Sequence, residues 1–335
     1  MKLRRTTSTR LPAIAIALAT ALLNLQVPRA IADPPTCLSL SGSDWWLNED
    51  AAATGLRNKL FDSGVPAAGW IPAQVPGNVQ DDLEKAHKLR PIFYGATDPN
   101  LYEVAQKDWW YRKDFTVPAA FAGKRLTLVF DGVDERCDVW LNGAKIGGNA
   151  GMFRRFEFDV SALARPGQTN RLAVWIARMP AVLVPYIINS DGPGEKDPFG
   201  PFGFMTAVNR TREVLKDLKT PGNFSYDWAF NVWTLGIWKD VRLEATGPAR
   251  IQWTRVESVV AKDFTSAAIR ATLEVESQAE HPVKAHFLVA GGGANLSSSV
   301  ETTLKPGRNL VSTEIPVNRP SLWWPAGQGA QPLYQ

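Results

Sequence analysis

The sequence predicts an all-β protein built from two successive sandwiches, and three observations predict it. Short segments of alternating apolar and polar residues recur between residues 120 and 180 and again between 235 and 315. Asn142-Gly143 stands between two of them, and this dipeptide supplies the positive φ at both central positions that a type I′ hairpin turn needs. Strands do not alternate with helices, and no Gly-rich phosphate loop opens a helix, so βαβ units are excluded. Gly247-Pro248 separates the two series.

Taken in order, residues 1–32 read as a secretory signal: cations in 1–10, an apolar run over Leu11–Leu25, then Ala30-Ile31-Ala32 as a small-x-small cleavage site. The run falls short of the ~20 apolar residues that span a bilayer. A mature chain from Asp33 in a secreted or periplasmic, oxidising compartment follows, in which Cys37 and Cys137 either pair or stay separate thiols. In the body, Lys124–Phe130, Arg136–Leu141, Ala144–Ile146, Phe153–Val160 and Arg171–Ala177 read as strands of a jelly-roll sandwich over 33–247. Residues 178–236 break the pattern with six prolines, one short helical stretch at Arg212–Leu218, and aromatics that include Tyr226, Trp228 and Trp233. A long irregular stretch rich in aromatics predicts a folded rim around a site. Strand character resumes at Leu235–Ala245. Ile251–Val260, Ala268–Glu276, Val283–Ala290, Val300–Leu304 and Asn309–Ile315 then predict an immunoglobulin-like sandwich over 248–335.

The formal charge of +4 misdirects, because residues 1–32 carry five cations and no acid. The remainder holds 32 cations against 33 anions, so composition supplies no basic surface for nucleic acid or anionic lipid. Three histidines, with Pro282 between His281 and His286, offer no metal cluster and no EF-hand loop is visible; a calcium site in the jelly roll stays open, and no metal ligand or cofactor is nominated. Thirteen tryptophans point to aromatic-lined grooves or platforms.

Five segments, in order, resemble the N-terminal half of glycoside hydrolase family 2, most like its β-mannosidase branch. They are Trp70–Val79, Trp109–Phe115, Gly132-Val133-Asp134 leading to Val139–Gly143, Tyr226-Asp227-Trp228 followed by Leu235–Val241, and Leu322-Trp323-Trp324-Pro325 with Leu333-Tyr334. The resemblance implies a galactose-binding-like jelly roll, then an immunoglobulin-like sandwich, here without its closing strands, and then a (β/α)8 barrel. The barrel would carry an acid glutamate and a nucleophilic glutamate of a retaining mechanism. This chain stops before such a barrel, so no catalytic residue is nominated within it, and acidic pairs such as Asp81-Asp82 and Glu49-Asp50 read as solvated faces.

The resemblance also implies that a loop of the first domain reaches the terminal-sugar subsite through an Asp-Trp pair, which falls on Asp227 and Trp228 beside Tyr226. A carboxylate accepts two sugar hydroxyls, and an indole face covers the C–H side of a pyranose. The branch's Trp-Asp-Trp is Tyr-Asp-Trp here. Implied partners are a terminal β-linked sugar and the chain's own missing barrel. Implied activity is exported exo-β-glycosidase action, β-mannosidase first, with exo-β-glucosaminidase, β-galactosidase and β-glucuronidase as sister activities. A stand-alone carbohydrate-binding protein and a fragment remain the alternatives. Within the strands, one of Trp109 and Trp110 should be core and the other exposed or loop-covered, Arg112 should pair with Asp114 or with a loop acid, and Pro76-Gly77-Asn78 should form a turn.

Overall fold

The computed structural model describes residues 36–62, 69–92, 100–179 and 234–335. The signal segment, the Arg212–Leu218 stretch and Tyr226-Asp227-Trp228 lie outside them. The elements of the first part are β1 (Thr36–Ser39), β2 (Gly42–Asp50), β3 (Ile71–Val75), α1 (Val79–Lys85), α2 (Asn100–Ala105), β4 (Asp108–Thr116), β5 (Arg125–Phe130), β6 (Arg136–Leu141), β7 (Ala144–Ala150), β8 (Phe156–Asp159), β9 (Thr169–Ile176) and β10 (Val241–Thr246). They form a six-stranded sheet in the order β3-β2-β4-β9-β6-β7 and a four-stranded sheet in the order β1-β10-β5-β8. Every strand pairing among the described residues is antiparallel, so none belongs to a parallel barrel. The hairpin at Asn142-Gly143 forms as its sequence predicts, with φ of 50° and 84° and Leu141 opposite Ala144.

Strand β4 shows why the family of segments around it is so aromatic. Its inward residues Trp109, Tyr111 and Phe115 enter the main core with Leu47, Leu128, Phe130 and Val174. Its outward residue Trp110 is equally buried, in a second cluster with Trp70, Trp140 and Ala173 beneath Leu60 and Phe61. Both tryptophans are thus covered, one by the opposing sheet and one by the segment after β2. At ~25 cal/mol per Å2, burying each contributes on the order of 4–6 kcal/mol.

That covering segment is held by polar clasps. The buried Asp50 carboxylate accepts from the Thr54 and Gly55 N–H groups at 2.7 and 2.8 Å and from Trp110 Nε1 at 3.1 Å. A side chain at Gly55 would collide with both Asp50 and the indole, so the backbone can approach only as glycine. At the far end Arg171 donates to the Asp62 carbonyl at 3.0 Å while gripping Asp114 with two bonds of 2.6 Å. Asp114 therefore pairs with Arg171, across the strand pair, and not with Arg112, whose guanidinium lies 4.3 Å from the Trp70 ring.

The two cysteines take the second of the alternatives the sequence leaves open and stay separate thiols. Cys37 lies exposed on β1 of one sheet, and Cys137 points into the core from β6 of the other, so no disulfide joins them. Burial pushes the Cys137 thiol up to about 12.

Beyond Gly247-Pro248 come β11 (Ala249–Val260), β12 (Ser266–Ser277), β13 (His281–Gly291), β14 (Ala294–Leu304) and β15 (Gly307–Asn318). A β11-β12-β15 sheet faces a β13-β14 hairpin across a core of Ala271, Val275, Phe287, Val289, Leu304, Val311 and Ile315. Their alternating burial follows from period-2 sequences such as Asn295–Leu304. Tyr334 bridges to Gly291, and Ala290 and Gln335 exchange backbone hydrogen bonds of 2.9 and 2.8 Å.

Candidate functional site

Asp227, Trp228 and Tyr226 fall outside the described residues, so the structure gives the ground on either side of them. The chain leaves that ground at Met179, whose N–H donates to the Ala105 carbonyl at 2.8 Å, and returns at Thr234. The return leg is residues 234–240, and the sequence pattern predicts a strand from Leu235. The strand begins only at Val241, because the leg's backbone groups go to two flanking loops. Val79 N–H donates to Leu235 O at 2.8 Å and Gly77 N–H to Ile237 O at 3.0 Å on one side. On the other, Asp134 and Gly236 exchange bonds of 2.8 and 2.9 Å, and Lys239 N–H reaches Gly132 O. Leu235 and Ile237 drop their side chains into the main core.

Two polar side chains complete the stitching. Asp134, almost wholly buried, accepts from the Thr234 hydroxyl at 2.8 Å. Gln80, also buried, accepts from Leu235 N–H at 3.3 Å. Gln80 is presented by α1, whose N-cap is Asn78: its side chain accepts from Asp81 N–H at 2.9 Å. Pro76-Gly77-Asn78 is therefore a helix entrance, where the sequence suggested only a turn. Gly236 takes φ of 148°, and a Cβ there would sit 2.8 Å from Asn78 Cα and 3.0 Å from the Tyr111 hydroxyl. Only glycine lets the leg pass between α1 and the Gly132-Val133-Asp134 loop.

Above this junction lies an open hollow of about 330 Å3, lined in part by Asn78, Asp134, Met152, Thr234, Gly236 and Trp238. Trp238 forms its aromatic wall. The indole N–H donates to Met152 O at 2.8 Å, the exposed Phe153 ring meets it edge-on at 5.6 Å, and Lys239 Nζ lies 4.5 Å from its centroid. Burial raises the Asp82 carboxyl to about 6, against the opposing influence of its bond from Gln74 N–H and of Lys85. Burial first, then Asp82, Asp81 and Asp134, push the Tyr111 phenol well above its ordinary value, so it remains a neutral donor. The arrangement can offer hydroxyl, amide and indole contacts. The buried Asp134 carboxylate in its lining accepts from Thr234 and so anchors the leg. The sequence signal for this anchor is Gly132-Val133-Asp134, two small or apolar residues ending in an acid just before a strand. Among the described residues, no group of three or more His, Cys, Asp or Glu side chains is placed to hold a metal ion, and no helix is long and apolar enough to cross a membrane.

With this geometry in view, the class of protein is defined. Residues 45–239 match the model of the glycosyl hydrolase 2 galactose-binding domain-like family, and residues 249–335 match that of glycosyl hydrolases family 2. The chain belongs to glycosyl hydrolase family 2. It is 33% identical over 279 residues to β-mannosidase B of Emericella nidulans, covering 82% of this chain and 31% of that protein. To β-mannosidase B of Aspergillus terreus it is 32% identical over 290 residues, covering 86% of this chain and 32% of that protein. The solved β-D-mannosidase of Dictyoglomus thermophilum superposes with a TM-score of 0.66 at 27% identity over 90% of this chain and 34% of that one. A family 2 β-glucuronidase superposes with a TM-score of 0.58 at 18% identity, which speaks to the fold alone. The chain thus spans about a third of the length of the relatives it matches.

Proposed function

We propose that this chain is the N-terminal, non-catalytic part of a longer, exported, retaining exo-β-glycosidase of β-mannosidase type. The observation that carries the reading is the match to β-mannosidases over four-fifths or more of this chain and about a third of theirs. In this reading the two glutamates that protonate the leaving oxygen and attack the anomeric carbon belong to a following barrel. Asp227 accepts two hydroxyls of the terminal sugar, Trp228 covers its apolar face, and Tyr226 stands beside them. The stitched return leg supports this assignment, because Trp228 precedes Thr234 by only six positions and Thr234 is tied to the buried Asp134. The signal-like residues 1–32 support export.

The test is hydrolysis of an aryl β-D-mannoside by the 335-residue chain and by the longest reading frame that contains it. The reading requires no turnover by the first and turnover by the second. Hydrolysis by the 335-residue chain alone, or a longest frame that lacks a barrel, would overturn it.

A further inference from the structure

The two sandwiches meet through charge. Their apolar cores are separate: the clusters of the first draw on residues 38–245 and that of the second on residues 249–334, and no apolar cluster among the described residues spans both. Only Gly247-Pro248 connects β10 to β11. The reason lies in the alternation of the four-stranded sheet. Leu126, Leu128 and Phe130 of β5, and Leu243 and Ala245 of β10, face inward, so the outer face presents Arg125, Arg242, Glu244, Glu157 and Asp159.

The second sandwich answers this face with two side chains. Arg250, at the start of β11, donates Nη2 to both oxygens of Glu157 at 2.6 Å and lies 3.9 Å from Glu244. Glu276, near the end of β12, accepts from Arg125 Nη2 at 2.8 Å. Gln252 joins the two, accepting from Arg250 at 2.9 Å and donating to Glu276 at 2.6 Å. On the first sandwich, Arg125 bonds Asp159 at 3.1 Å, and Asp159 lies two residues from Glu157 on the same face of β8. The contacts close into a ring: Arg125, Glu276, Gln252, Arg250, Glu157, and back through β8 and Asp159. Each sandwich gives one arginine to an acid of the other. Both guanidinium groups are more than nine-tenths buried, so salt screens them less than surface pairs.

We propose that this ring is an orientation lock: it holds the two sandwiches as one rigid unit, and without it they move independently about Gly247-Pro248. Apolar patches slide over one another at little cost, whereas reciprocal charged bonds at fixed register do not, and removing either glutamate takes an acid partner from a guanidinium more than nine-tenths buried. Arg242 and Arg155, with Asp131, brace the outer side of the ring through Glu244 and Glu157.

The experiment uses the 335-residue chain and compares wild type, R250M, the double variant R125M/R250M, and R270M as control. Arg270 pairs with Glu314 on the exposed face of the second sandwich, away from the ring. X-ray scattering reads the maximum dimension, calorimetry reads the number of transitions, and limited proteolysis reads access to residues 247–248. The lock predicts a larger maximum dimension, one transition becoming two, and cleavage at the connection faster by on the order of tenfold or more in R250M, with far-UV circular dichroism unchanged. R270M should match wild type. Should R250M fail to fold, E157Q/E276Q carries the test, since glutamine keeps the shape and removes the charge. Unchanged scattering and a single transition in the folded ring variants would overturn the proposal.

Discussion

Asp82 makes folding depend on pH in an unusual direction. Its carboxyl is almost fully buried at the base of α1, one oxygen accepts from Gln74 N–H at 3.0 Å, and burial raises it from 3.8 to about 6. The unfolded chain releases this proton near pH 4 and the folded chain near pH 6. Between those values the folded state binds more protons, so stability falls as pH rises. Protonated Asp82 contributes its full share below about pH 4, and that share is gone above about pH 6. A shift of this size corresponds to about 3 kcal/mol. Asp82→Asn abolishes the titration and keeps an oxygen for Gln74, while burying an amide that costs roughly 1–2 kcal/mol. The variant should therefore be more stable than wild type by about 1–2 kcal/mol at pH 7 and less stable at pH 4. Urea unfolding followed by tryptophan fluorescence, repeated from pH 4 to 8, checks this. A difference between the two proteins that does not change with pH would refute the reasoning, as would a variant less stable at pH 7.

Asp50→Ala leaves two buried donors and the half-buried Thr54 N–H without an acceptor and should cost about 2–4 kcal/mol in urea unfolding, with fluorescence changes from Trp110 and Trp140 as the covering segment loosens. Gly236→Ala should cost about 2–4 kcal/mol, since the new methyl meets backbone at Asn78 while φ stays positive; a thermal midpoint equal to wild type would contradict the close passage. A thiol reagent at pH 8 should label the native chain once, at exposed Cys37, and twice only after denaturation.

Strand alternation made both sandwiches and the Asn142-Gly143 hairpin legible, because period-2 burial leaves a period-2 sequence. Strand β4 hid its own pattern. Asp108–Thr116 is buried on both faces, and what covers its outer face comes from the segment after β2, which no local period announces. Asn78 shows a second limit: Pro-Gly-Asn reads as a turn, and its capping role appears only once the helix behind it exists. Asp81-Asp82 read as a solvated pair, yet Asp82 faces inward on α1 because the helix must sit against β3. Arg112 and Asp114 share a strand face two residues apart, but Arg171 on β9 reaches Asp114 with better geometry and Trp70 offers its ring to Arg112. The Asp134 anchor joins residues 100 positions apart and the Arg250–Glu157 contact of the ring residues 93 apart, which only the three-dimensional fold can bring together.

The proposed service of Asp227 and Trp228 in the terminal-sugar subsite of a longer β-mannosidase-type enzyme is open to one direct test. The direct measurement is kcat/KM for an aryl β-D-mannoside in that enzyme, wild type against Asp227→Ala. Loss of a charged hydrogen bond at a buried sugar subsite, about 2–4 kcal/mol, predicts a fall of roughly 30- to 700-fold. A change of less than twofold would contradict the claim.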